Sequence, residues 1–274
     1  MIKINKPAQV PITLRRRGIT ETQNYCNEVE NNIPDFLSGR IKLAKAVSTV
    51  YGSDSVKRAL INCHNGKCCY CERKRDRVEI DIEHYRPKHA FTENREDTVK
   101  QYPGYYWLAY NWENLFLSCK ECNITWKKNS FPLSNPRSRS RWHDDNNIIE
   151  NEEPLLVNPS DEPREHIRFN NDAPYPKTKE GQVTIEELGF LDSERVKLRE
   201  ARLEVFKNLK CYYNIVTGLT SAEEAGKTDL VEYIKNQFNV EEAKEYLKNA
   251  VLPTSEFSSM AKDFLSEYFE NNNF

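Results

Sequence analysis

At 274 residues the chain is long enough for one large domain or two ordinary ones, and its 38% hydrophobic and 30% charged composition, with 12 Phe, 14 Tyr and 4 Trp, excludes a disordered or solvating chain. Nine glycines argue against a barrel or sandwich of many short strands. A net charge of −2 hides an uneven distribution: 15 Lys and Arg stand against 10 Asp and Glu from Lys67 to Arg141, and 11 against 17 from Gly181 onward. A basic middle is compatible with an anionic substrate, and equally with solvated surface charge.

The opening MIKINKPAQVPITLRRR lacks an apolar signal core, and no stretch approaches the roughly 20 apolar residues that span a bilayer. A cytoplasmic protein without membrane contact is therefore expected, and in that compartment eight cysteines predict metal rather than disulfides. After the Pro-containing arm, Leu43, Ala46, Val47 and Val50 recur at helical spacing. A second helix is predicted after Ser53 through Val56, Ala59, Leu60 and Ile61, ending at His64-Asn65-Gly66, where Asn and Gly supply a left-handed turn. Residues 78–85 read as a strand with Ile80 and Ile82 on one face and Asp81 and Glu83 on the other.

Segment 136–180 reads as a loop-rich connector, anchored by EEPLLVNP. From Thr184, with Glu187 three residues on, a capping box predicts a helix start. Two apolar stripes follow, one from Leu198 through Leu209 to Val216, the other Leu230, Tyr233, Ile234 and Phe238, each able to bury on the protein's own core or on a partner. The chain is thus divided as 1–66, an arm with helices; 67–135, a compact core; 136–180, the connector; and 181–274, a helical C-terminal region.

Two C-x-x-C pairs, Cys68/Cys71 and Cys119/Cys122, carry the strongest chemical signal. Two intervening residues let a tight turn aim both thiolates at one tetrahedral ion, so two such turns predict a closed structural zinc site that cannot itself activate water. Cys69 rivals Cys68 but lacks the spacing to Cys71. Cys26, Cys63 and Cys211 read as small buried apolar residues. Between the pairs lies Glu83-His84-Tyr85-Arg86-Pro87-Lys88, then Asn114 before the third cysteine, Asn123 directly after the fourth, and Lys127.

That order of residues resembles the HNH endonuclease family in its zinc-bearing form. The resemblance implies an α+β fold with a ββα-metal core set between the N-terminal helices and the larger helical region. It implies hydrolysis of phosphodiester bonds, in DNA or RNA, with His84 as general base toward water and Asn114 tying down the ββ turn and orienting that histidine. Glu83 and Asn123 would hold a catalytic magnesium or manganese ion, with Asp81 as a substitute for Glu83, since many family members carry Asp at that place. A wider likeness, through KCCYCE, IEHYRPK, GYYWLAYNWENLFLSC, EEPLLVNP and TIEELGF, is to the HNH nuclease subunit of Septu-type antiphage systems. Relatives of that subunit occur with retrons, and it works with an ABC or SMC-like ATPase. No phosphate-cradling G-x-x-x-x-G-K-[ST] occurs here, so ATP dependence would come from another chain.

For nucleic-acid contact, Lys127, Lys128, Arg137, Arg139 and Arg141 follow one another with no acidic residue between Glu121 and Asp144, as a phosphate track or a solvated loop. Tyr105, Tyr106, Trp107, Tyr110 and Trp112 could stack on bases or form core. Two alternatives to the complexed nuclease stand: a standalone HNH enzyme of restriction type, and a zinc-stabilised binding or adaptor module without catalysis.

Overall fold

The computed structural model describes residues 1–76, 78–145 and 149–266. The chain is α+β: helices dominate, and two separate two-stranded antiparallel sheets complete the regular structure among the described residues. The central sheet pairs β1 (Ile80–His84) with β2 (Leu115–Cys119), Ile80 opposite Cys119 and His84 opposite Leu115. β2 runs almost directly into a short, wide-turned helix, Glu121–Lys127, so strand, strand and helix follow in chain order. Every residue of β2 is buried, because both of its faces are covered.

One face of this sheet belongs to the N-terminal helices. Leu115 and Leu117 pack with Val56 and Leu60 of the helix Asp54–Cys63, all at 1% exposure or less, and each such side chain contributes roughly 1.5–3 kcal/mol of burial. That helix ends as its sequence predicts, with Asn65 at φ 53° and Gly66 at φ 69°. Farther upstream the structure differs from the expected pattern. Only Ser48–Tyr51 is helical in the stretch carrying Leu43 to Val50, and the Val47 amide donates to the Tyr110 hydroxyl instead of closing a helical turn. The regular helix lies earlier, at Ile19–Glu30.

The other face opens into a second cluster, which runs from Cys68, Cys71 and Phe116 through Leu156 and Leu188 to Leu198, Leu209 and Met260. C-terminal helices and cysteine pairs therefore share one core. Gly189, within TIEELGF, sits at φ 58° against Trp126, where a Cβ would meet the ring at 2.0 Å. The connector is more structured than its composition suggests: β3 (Ile167–Asn170) and β4 (Ala173–Pro176) form a hairpin across Asn171-Asp172, with Asn171 at φ 55°. The next helix is Lys179–Glu187, capped not by Thr184 but by Thr178, whose hydroxyl accepts from the Gly181 amide at 3.2 Å. Thr184 lies inside that helix and accepts from the Val157 amide.

The long helix Val196–Glu224 buries Leu198, Leu209 and Val216, as the first stripe predicts, and Phe206 outside that stripe. The second stripe does not bury. In the helix Thr228–Gln237 no residue is buried, and Leu230 and Tyr233, with Phe238 just beyond, are 42%, 59% and 45% exposed. Cys211 is exposed as well, not a core residue. No helix among the described residues is long and apolar enough to cross a membrane.

Candidate metal centre and the adjoining cleft

Cys68, Cys71, Cys119 and Cys122 bring their sulfurs within 4.8 Å of one another in the interior, with Cys71 and Cys119 at 3.9 Å. Tetrahedral Zn–S bonds of about 2.3 Å place sulfurs about 3.8 Å apart, so this group can hold a zinc ion. The Cys122 amide points at the Cys119 sulfur at 3.4 Å. The Arg195 guanidinium, 1% exposed, donates to the Cys122 sulfur at 2.9 Å. Burial pushes the Cys122 thiol well up, and a coordinated metal reverses that by taking the thiolate. Cys69 stands outside the group. Arg195, from the C-terminal region, is a contributor that sequence spacing gives no sign of.

His84 ends β1 with 5% exposure. Its Nε2 lies 3.0 Å from the Ala109 carbonyl and its Nδ1 3.1 Å from the Lys88 ammonium. A carbonyl can only accept and an ammonium can only donate, so Nε2 carries the hydrogen and Nδ1 keeps its lone pair toward Lys88. Burial, then the nearby Lys88 charge, holds the imidazole well below the usual histidine range and therefore neutral. Tyr51 packs edge-on against the ring at 4.8 Å. Asn114 accepts from the Arg86 amide at 2.7 Å and donates to the carbonyls of Arg86, at 3.0 Å, and Leu108, at 3.2 Å. It clamps the two ends of the excursion between β1 and β2.

Glu83 and Lys127 lie elsewhere than expected. The Glu83 carboxylate is 2% exposed, 2.8 Å from the Lys127 ammonium and accepting from the Tyr70 hydroxyl at 3.2 Å. Lys127 also donates to the His84 carbonyl at 3.3 Å. The carboxylate that lines open space is instead Asp81, which shares a cleft of about 810 Å³ with Asn123 and Lys88. Asp81, Asn123 and Lys88 are thus brought to one opening, with His84 behind the Lys88 ammonium, and Glu83 is turned into the interior.

The basic track is also rearranged. Lys127 is buried in its ion pair, and Arg139, 3% exposed, is held by Glu93, the Tyr105 hydroxyl and the Phe131 carbonyl. Arg141, half-buried, donates to the Tyr102 carbonyl. Lys128 and Arg137 are the exposed members. These five residues do not form one continuous exposed row, because the segment folds back over Phe91 and Phe131 and spends two of its charges inside. Tyr105, Tyr106, Tyr110 and Trp112 are buried, so the aromatic run is core.

The chain is 39% identical over 163 residues to the Septu protein PtuB of Bacillus mycoides strain KBAB4, a match covering 58% of this chain and 54% of that protein. It is 28% identical over 198 residues to the Septu protein PtuB of Bacillus thuringiensis, covering 67% of this chain and 64% of that one. A third similarity, 30% over 151 residues, is to the Septu protein PtuA of Bacillus mycoides, covering 54% of this chain but 20% of that longer protein. The matches to the two PtuB relatives span about half to two thirds of their length. No protein family profile matches the chain, and no solved structure matches it.

Proposed function

We propose that the protein is a metal-dependent HNH-type endonuclease hydrolysing phosphodiester bonds, and that it works within a Septu-type antiphage defence complex. The observation that supports this most is the setting of His84. Its ring is fixed by the Ala109 carbonyl, and its Nδ1 lone pair accepts from Lys88, which lines a cleft shared by Asp81 and Asn123. A neutral histidine can take a proton from water once Lys88 turns from its Nδ1 lone pair to the substrate phosphate. Asn114 fixes the backbone at Arg86, just after this base, and at Leu108, next to the carbonyl that holds its ring. Asp81 and Asn123 offer oxygen ligands suited to magnesium or manganese, and such an ion, when bound, stabilises the charge that builds on a phosphodiester as it is hydrolysed. The strand, strand and helix order from Ile80 to Lys127 is that expected of a ββα-metal core, and the cysteine group supplies its structural zinc. DNA is the leading substrate and RNA the other.

The partner proposal rests on similarity to proteins named PtuB and PtuA. We assign the ATPase role to a separate chain and keep retron components as a further partner class. A non-catalytic zinc-stabilised module is the second reading, favoured by the Glu83–Lys127 pair, which engages a carboxylate that catalysis would use. Purified full-length protein, tested on duplex DNA and RNA with magnesium or manganese, decides between them. Cleavage lost in His84→Ala with zinc content kept supports the nuclease, and equal cleavage by wild type and variant rejects it.

A further inference from the structure

Two exposed cations that the basic-loop pattern does not include face the same cleft as Asp81 and Asn123. Lys57 and Arg58 stand on the helix Asp54–Cys63. Val56 and Leu60 fix that helix against β2 at 0% exposure, which turns the intervening positions outward. Neither Lys57 nor Arg58 makes a salt bridge among the described residues, whereas Lys127 and Arg139 of the downstream segment are tied up internally. Lys88 continues the wall inward: its ammonium lies 4.9 Å over the Tyr51 ring and 3.1 Å from His84. Three cations thus meet two carboxylates, Asp54 and Asp81, across one opening, and the innermost of them, Lys88, contacts His84.

We infer that the helix Asp54–Cys63 is the phosphate-binding wall of this cleft, with Lys57 and Arg58 contacting the nucleic-acid backbone and Lys88 the phosphate nearest His84. The inference rests on the phosphodiester reading of the site and names where its substrate lies. A rigid helix holds its charges at fixed spacing, so their ordering cost on binding is smaller than for the same charges on a loop. Each phosphate contact releases a condensed counterion and adds about 0.9 to the magnitude of the log–log salt slope on duplex DNA.

The test is binding of fluorescently labelled duplex DNA and duplex RNA of equal length to the full chain, titrated over salt without added divalent cation. Lys57→Glu/Arg58→Glu is compared with Lys128→Glu/Arg137→Glu and wild type. Because all four positions are exposed, zinc content and melting should match wild type. The expected result is an affinity loss of about tenfold or more and a slope smaller by about 2 for the helix pair, on whichever duplex binds, with less than about a twofold change for the loop pair. Unchanged binding by the helix variant, a larger loss in the loop variant, or no binding by wild type overturns the inference. Magnesium-dependent cleavage of the same duplexes is scored separately. Wild type that binds through Lys57 and Arg58 without cutting leaves the wall standing and removes the nuclease, while cutting with helix-independent binding does the reverse.

Discussion

Lys127 holds both members of the Glu83-His84 dipeptide at once: its ammonium is 2.8 Å from the Glu83 carboxylate and 3.3 Å from the His84 carbonyl. With both charges almost fully buried, either one left alone is costly, about 3–5 kcal/mol for a broken interior pair. Glu83→Ala is therefore expected to lose stability in chemical unfolding, and Glu83→Ala/Lys127→Met to recover much of it. Asp81→Asn, on the open cleft, should fold normally yet lower magnesium-dependent cleavage at least about tenfold, or about 1.4 kcal/mol of transition-state stabilisation. If Glu83→Ala retains wild-type stability, the ion pair is not structural.

Zinc should be present at about one ion per chain, and Cys119→Ser should remove it together with several kcal/mol of folding free energy, because the ligands converge only in the folded state. Elemental analysis and thermal melting check this. Cys69→Ser, outside the sulfur group, should keep the ion. Arg195→Met, which removes the guanidinium 2.9 Å from the Cys122 sulfur, should weaken zinc retention against a chelator.

The cysteine group was legible in the sequence because tetrahedral coordination imposes a spacing that few other constraints reproduce. Asn114 and His84 stand out in the sequence only through their place in the motif order. What sequence could not divide was Asp81 from Glu83: both fall on the same strand face, and which one is neutralised depends on where the helix Glu121–Lys127 delivers Lys127. The same holds for Arg139, whose burial follows from a chain path set by Phe91 and Phe131. Lys57 and Arg58 are silent in the sequence for another reason. Ordinary surface charges on an amphipathic helix carry no signal until the fold shows what lies opposite them.

His64, 0% exposed and with Nε2 3.4 Å from the Leu117 amide, is pushed down to about 3 by burial, with the nearby Lys6 charge adding to the effect. A histidine whose folded-state value lies below its unfolded value of about 6.5 stabilises fully above that value and loses the contribution as pH falls toward the folded one. Between pH 7 and pH 5 this amounts to about 2 kcal/mol. Urea unfolding at the two values should show that loss in wild type and a clearly smaller one in His64→Gln.

The exposed stripe of the helix Thr228–Gln237 bears on partnership. Leu209, fully buried on the neighbouring long helix, should cost about 2–5 kcal/mol when changed to alanine. Leu230 and Tyr233 are 42% and 59% exposed, and Phe238 45%, so Leu230→Lys/Tyr233→Lys should change stability by about 0.5 kcal/mol or less per site. An apolar row that contributes little to the chain's own folding is suited to a partner surface, where an amphipathic helix presents residues three and four apart. The chain is therefore expected to copurify with the separate ATPase chain proposed as its partner, and the double substitution to reduce that association at least about tenfold, about 1.4 kcal/mol, while zinc content and melting stay the same. Lost stability in the double variant would place the stripe in this chain's own core. Intact association with unchanged stability would move the partner contact to another face, and a full-length chain that stays alone and cleaves equally well without the ATPase would return the protein to the standalone HNH reading.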